Sequence, residues 1–231
     1  MFQVAEGIKG VHILGVVQSK DALEDLLKIN SFEARGSVAR IDKNIFYELV
    51  NEEIINWIVW AERHKDMLCN NDENSISFNL ITQLEGHFRH CFEISHDNHH
   101  GGHVDILVKC RRFYWLGEAK LSSGPTYSLK GFQQLVDRYS SGSPTCSEGG
   151  LFIYIVNGSA RNKTAVNVLN EWKGKIEDES GDEISDLKFL EPHPDRLGLN
   201  LKTQHTHRTS GLPYTVHHYL VQLQHFPTDN Q

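Results

Sequence analysis

The chain has 231 residues, 39% of them hydrophobic and 23% charged, with a net charge of −7. That is enough for one α/β domain, or a domain with a small extension, to bury its own core without staples. The longest apolar run, Ile54–Ala61 with Asn56 inside it, is too short to span a bilayer. The opening residues MFQVAEGIKG carry no basic stretch followed by a sustained apolar one, so a mature, cytoplasmic protein without a membrane partner is expected. Cys69, Cys91, Cys110 and Cys146 make no C-x-x-C pair. This excludes zinc-ribbon and redox motifs and predicts free, buried thiols.

In chain order, Val11–Val17 has the length of a strand and Ala22–Ile29 that of a short helix. Asp42 or Asn44 is placed to cap a long helix whose apolar side carries Ile45, Leu49, Ile55 and Ile58, widened by Phe46, Trp57 and Trp60; a core helix is expected. Asn70-Asn71-Asp72 breaks it. Ile76, Leu80 and Leu84 then predict a second amphipathic helix over 73–85, with Glu73 in its first turn and Gly86 at its end. Alternation over His87–Ser95 predicts a strand, followed by a polar turn over His96–Gly102. Val104–Val108 and Phe113–Leu121 predict two more strands around a short polar break. Pro125 marks a loop before a helix over Leu129–Tyr139. Leu151–Val156 reads as a buried central strand. Ala165, Leu169, Trp172 and Ile176 define a further helix, 178–200 an acidic surface excursion, and Tyr214–Phe226 a last strand. The succession predicts an α/β layer fold with a mixed central sheet.

Charge is uneven. Six Lys/Arg (Lys109, Arg111, Arg112, Lys120, Lys130, Arg138) face three Asp/Glu between Gly101 and Ser140, whereas acids outnumber bases nine to three from Glu171 to Asp195. A locally basic face on an acidic protein is compatible with phosphate contacts; for any single residue a solvated mixed surface explains the charge equally well.

The chemistry concentrates in two adjoining strands. Glu118 and Lys120, two apart, share one face. A four-residue turn at Cys110–Phe113 sets Asp105 directly opposite Glu118. A two-residue turn at Cys110–Arg111 leaves them diagonal, within ~7–8 Å. A three-residue turn puts them on opposite faces. Two carboxylates on one face make a hard oxygen site suited to Mg²⁺ or Mn²⁺, and a neighbouring lysine can orient water and offset charge on a phosphoryl group.

The order Asp105, hairpin, Glu118-Ala119-Lys120 resembles the PD-(D/E)XK nuclease superfamily, with its restriction-endonuclease-like fold. The resemblance covers about Glu73 to Val156. It implies Asp105 and Glu118 as metal-binding acids, Lys120 as the catalytic lysine, and Glu73 as the further acid carried on the preceding helix. Val104 stands where the family has proline. A glutamine on the following helix, Gln133 or Gln134, matches another family feature, but Gln134-Leu-Val-Asp-Arg-Tyr139 has one residue more than the family's Gln-x-x-x-Tyr. Lys130-Gly131 and Gly149-Gly150 add a likeness to nuclease components of bacterial anti-phage defence.

The expected activity is therefore Mg²⁺-dependent hydrolysis of phosphodiester bonds in DNA by a nuclease domain over 71–231. Arg111, Arg112 and Lys130 are the nucleic-acid contacts, and residues 1–70 are a regulatory or dimerisation segment. A homodimer and a controlling partner protein are the remaining expected partners. An RNA-directed nuclease and a non-catalytic nucleic-acid- or partner-binding module are the alternatives. His99, His100, His103, His205 and His207 raise a zinc hydrolase as a rival, but H-H-x-x-H in a glycine turn lacks helical metal-ligand spacing. Exposed loop histidines, with a minor phosphate contact from His103 or His205, are the simpler reading.

Overall fold

The structure, a computed structural model, describes residues 5–6, 11–12, 32–89, 91–97, 104–159, 163–181 and 183–226. A short antiparallel pair, β1 (Ala5–Glu6) and β2 (Val11–His12), comes first. Helices α1 (Phe32–Ala39), α2 (Lys43–Arg63), α3 (Lys65–Leu68) and α4 (Glu73–Phe88) follow. Then come β3 (Glu93–Asp97), β4 (Val104–Cys110), β5 (Phe113–Leu121) and α5 (Pro125–Gln133), which runs into a π-helical turn over Gln134–Tyr139. The chain ends with β6 (Glu148–Ile155), α6 (Ala165–Asp178), β7 (Lys188–Leu190), a 3₁₀ turn at Pro194–Arg196, β8 (Asn200–Thr206) and β9 (Pro213–Gln222).

Seven strands form one mixed sheet in the order β3-β4-β5-β6-β9-β8-β7. β5 and β9 lie parallel to β6, and the outer pairs are antiparallel. The protein is α/β, with helices on both faces of a mixed sheet and a helical N-terminal segment. No helix among the described residues is long and apolar enough to cross a membrane.

Strand alternation divides the core in two. Phe152 and Tyr154 face α2 and α4, in one cluster with Phe46, Trp57, Leu80 and Trp115. Leu151, Ile153 and Ile155 face α5 and α6, in a second cluster with Phe132, Leu135 and Trp172. α2 starts where its sequence predicts: Asp42 accepts hydrogen bonds from the Asn44 and Ile45 N–H groups (2.8 and 3.3 Å), filling donors that a helix start leaves free. Trp57 of α2 meets Phe152 and Tyr154 edge-on. Arg196 fastens the end of α2 to the sheet: its guanidinium donates to both Glu62 oxygens (2.6 and 2.8 Å) and to the Leu220 carbonyl (2.7 Å). Residues from Lys43 onward thus share the core of the sheet.

Several boundaries differ from expectation. α4 passes Gly86 and ends at Phe88, whose buried ring stacks on Phe92 at 4.4 Å; Phe88 belongs to the helix, and the strand begins only at Glu93. Pro125 is the first residue of α5 rather than part of a loop, where its missing N–H costs nothing. The excursion over 178–200 contains the edge strand β7 and the buried Arg196. β8 has no counterpart among the expected strands. Of the strand over Val11–Val17 only Val11 and His12 are described, and the helix over Ala22–Ile29 and the turn beyond Asp97, with His99, His100 and His103, lie outside the described residues.

Candidate active site

β4 and β5 pair from Cys110↔Phe113 to Ile106↔Gly117. This is the four-residue turn, the register that points Asp105 towards Glu118, although the pairing itself ends one residue earlier, at Ile106↔Gly117. Arg111 takes φ 54° to make the turn, a left-handed conformation uncommon outside glycine. Both acids and Lys120 lie on the face covered by α5.

Beyond Gly117 the ladder between the two strands stops, while β5 continues to Leu121 against β6. The strands form a fork. On the freed edge of β5, carboxylates replace the missing strand: Ala119 N–H donates to Asp105 Oδ2 (2.8 Å) and Leu121 N–H to Glu73 Oε2 (2.8 Å). A buried amide needs such a partner, so the fork itself fixes where two of the acids sit. Glu73 reaches it from the first turn of α4, whose start is capped by Asp72 through the Ser75 N–H (2.7 Å).

Lys120 lies between the acids. Its Nζ donates to Glu118 Oε1 (2.6 Å) and Glu73 Oε1 (3.4 Å), and Tyr127 places its ring 5.9 Å from the same ammonium. α5 can approach because residue 131 is glycine: a Cβ there would stand 2.7 Å from Lys120 Cγ.

Glu118 is 2% exposed, and its Oε2 has no hydrogen-bond partner among the described residues. Burial, reinforced by the charge of Asp105, pushes its carboxyl up to about 8 against the pull of Lys120. Burial also raises Asp105, partly offset by the Ala119 N–H and Lys120. For Lys120, burial acts to lower the ammonium pKa, but the hydrogen bond and charge of Glu118, with Glu73 and Asp105, outweigh it and the net shift is upward. Three acids stand around one ammonium; Glu118 Oε2 is engaged by no described residue, whereas both oxygens of Glu73 are taken by Lys120 and Leu121. Among the described residues no group of three or more His, Cys, Asp or Glu side chains is arranged to hold a metal.

Gln134 and Tyr139 show why the one-residue excess matters. The segment is π-helical, and Ser140 N–H donates to the Leu135 carbonyl five residues back. The wider turn absorbs the additional residue, so Gln134 Nε2 still reaches the Tyr139 hydroxyl (3.5 Å). The one-residue excess therefore does not separate Tyr139 from Gln134. Burial raises the Tyr139 hydroxyl, and the charges of Glu118, Asp105 and Lys120 act on it.

Other expected contacts fall elsewhere. Arg111 and Arg112 are exposed at the hairpin tip, six to seven residues and so about 20 Å along the strand from Glu118; they do not join the acids. Lys130 is exposed on α5, beside Gly131. The reading of His205 and His207 as exposed loop residues is corrected: both are buried. His207 Nδ1 accepts from the Thr209 and Ser210 N–H groups (3.3 Å each), which leaves Nε2–H to donate to Ser140 Oγ (2.8 Å). His205 packs against Phe132 and Tyr214, where it cannot contact a phosphate.

Searches against protein-family models, curated proteins and solved structures return no match.

Proposed function

We propose that the protein is a divalent-metal-dependent nuclease of the PD-(D/E)XK type, hydrolysing phosphodiester bonds in DNA. The observation that carries this reading is the convergence of Asp105, Glu118, Glu73 and Lys120 at the fork, with Glu118 Oε2 buried and unpartnered. Lys120 engages only Oε1, and a buried polar atom left without a partner is costly. The succession α4-β3-β4-β5-α5-β6 around the fork supports the restriction-endonuclease-like assignment.

Asp105 and Glu118 would hold Mg²⁺ or Mn²⁺. When bound, the ion supplies Lewis acidity toward a phosphoryl oxygen and lowers the pKa of water. Lys120, bracketed by Glu118 and Glu73, is placed to donate to the attacking water and to offset charge on the phosphate. Glu73 holds that lysine and the end of β5 in position. Gln134 and Tyr139, joined across the π turn, present polar groups to the substrate. A role in anti-phage defence extends the same reading.

The test is cleavage of single- and double-stranded DNA and RNA with Mg²⁺, Mn²⁺ or Zn²⁺. DNA cleavage with Mg²⁺ or Mn²⁺, reduced ~10²-fold or more by Lys120→Ala and by Asp105→Asn, is expected. Activity that survives both substitutions refutes the site; binding without cleavage by the wild type favours a non-catalytic module.

A further inference from the structure

α5 carries no acidic residue, although the chain as a whole has a net charge of −7. Tyr127, Lys130 and Gln134 are spaced by three and four, so they fall on one side of the helix. Gly131, where α5 meets the stem of Lys120, lies among them. The stripe therefore runs past the reacting groups for about 10 Å of helix. Tyr127 and Lys130 are exposed, and Gln134 is half-buried.

Each side chain of the stripe offers something different. Lys120 Nζ stands over the Tyr127 ring, 5.9 Å from its centre, yet Tyr127 is 38% exposed. A flat ring thus borders the buried reacting groups and leaves surface open to a flat partner. Lys130 forms no ion pair among the described residues, so its ammonium is available to a phosphate. Gln134 is held by the Tyr139 hydroxyl (3.5 Å). A ring for a base and a cation for the backbone are what single-strand grooves combine, and no acid of α5 repels the phosphates. An intact duplex cannot use the ring, because its bases are stacked on one another.

We propose that this side of α5 is the track of an unpaired DNA strand, with Tyr127 stacking on a base and Lys130 contacting the backbone beside the bond to be cut. The substrate class is then single-stranded or frayed DNA rather than intact duplex. The position of the cut rests on the nuclease reading; the binding of the strand does not.

The experiment is equilibrium binding of the full chain, in EDTA at fixed ionic strength, to fluorescein-labelled probes of equal length: an oligodeoxythymidine strand, an abasic strand of the same charge, and a DNA duplex. The wild type should bind the thymidine strand more tightly than either of the others. Tyr127→Leu should weaken the thymidine strand ~5-fold or more and leave the abasic strand and the duplex unchanged; Tyr127→Trp should restore binding. Lys130→Ala should weaken both single strands alike and reduce the salt slope by about 0.7. Wild-type affinity for the thymidine strand no higher than for either other probe overturns the track. So does a Tyr127→Leu loss that is as large on the abasic strand, since the ring would then act only by positioning Lys120. A ring-dependent preference for the thymidine strand in a protein that cleaves nothing keeps the track and sinks the nuclease reading. Cleavage as fast on duplex as on single strands, and unaffected by Tyr127→Leu, keeps the nuclease and sinks the track.

Discussion

Glu118 is where activity and stability oppose each other. Its folded pKa, raised to about 8 from 4.5 by burial and by Asp105, means that the unfolded chain releases this proton more readily. The metal-free protein therefore has its full stability from this group below pH 4.5 and loses it as pH rises towards 8. Glu118→Gln removes the ionisation and keeps an acceptor for Lys120. We expect it to lower cleavage ~10²-fold or more while raising the thermal midpoint of the metal-free protein, by a margin that grows from pH 4.5 to 8. A melting series across that range, in EDTA, checks it. Equal destabilisation at every pH would show that Glu118 is an ordinary structural partner. This residue was legible in the sequence because a carboxylate two positions from a lysine, in an apolar strand, has few structural reasons to exist.

At the scale of elements, the hairpin shows how far pattern reaches. Phe113–Leu121 matches its strand residue for residue, and the short polar break allowed the register that brings Asp105 to Glu118. α5 shows where pattern stops. Its apolar positions Leu129, Phe132, Leu135, Val136 and Tyr139 were visible, but a change from α to π winding leaves the composition unaltered, so the Gln134–Tyr139 spacing read as a mismatch. β8 was hidden for another reason: Asn200-Leu-Lys-Thr-Gln-His-Thr is largely polar, and its place in the sheet comes from pairing with β9 on one side and β7 on the other. The contact between α5 and β5 gives a prediction. Gly131→Ala puts a methyl group against the stem of Lys120, so cleavage should fall ~10-fold or more through misplacement of the ammonium, while stability changes by no more than ~1 kcal/mol. Cleavage kinetics beside a denaturant titration separate the two; unchanged cleavage would mean that Lys120 adjusts without consequence.

For the molecule as a whole, the core layer under α5 and α6 contains groups that must stay uncharged. Trp172 of α6 donates to His218 Nδ1 (3.2 Å), so His218 Nε2–H donates to Thr203 Oγ1 (2.8 Å). Burial lowers His218 to about 3, and burial with the nearby His207 lowers His205 to about 4, both from 6.5. Each adds stability that is complete above pH 6.5 and is lost as the pH falls through the folded values, because only the unfolded chain takes up the proton. His205 Nδ1 has no partner among the described residues to lose. His205→Phe should therefore leave stability at pH 7.5 nearly unchanged and reduce its fall between pH 6 and 4 by about 1.4 kcal/mol per pH unit, read by denaturant unfolding at each pH. An unchanged acid slope would show that His205 is protonated in the folded state. The 14 histidines invited a metal reading; what separates a ligand from a core histidine is depth, which no spacing records.

The fork has a consequence for how variants are interpreted. Asp105 and Glu73 each stand in for a missing strand, so truncating either removes a charge and also releases a backbone amide. Asp105→Ala should speed hydrogen exchange at Ala119, and Glu73→Ala at Leu121, with each acid leaving the other's amide protected. Asp105→Asn, which can still accept, should leave Ala119 slow while changing the charge alone. Those two amides, followed by exchange-resolved NMR, distinguish a lost reaction from a frayed strand end.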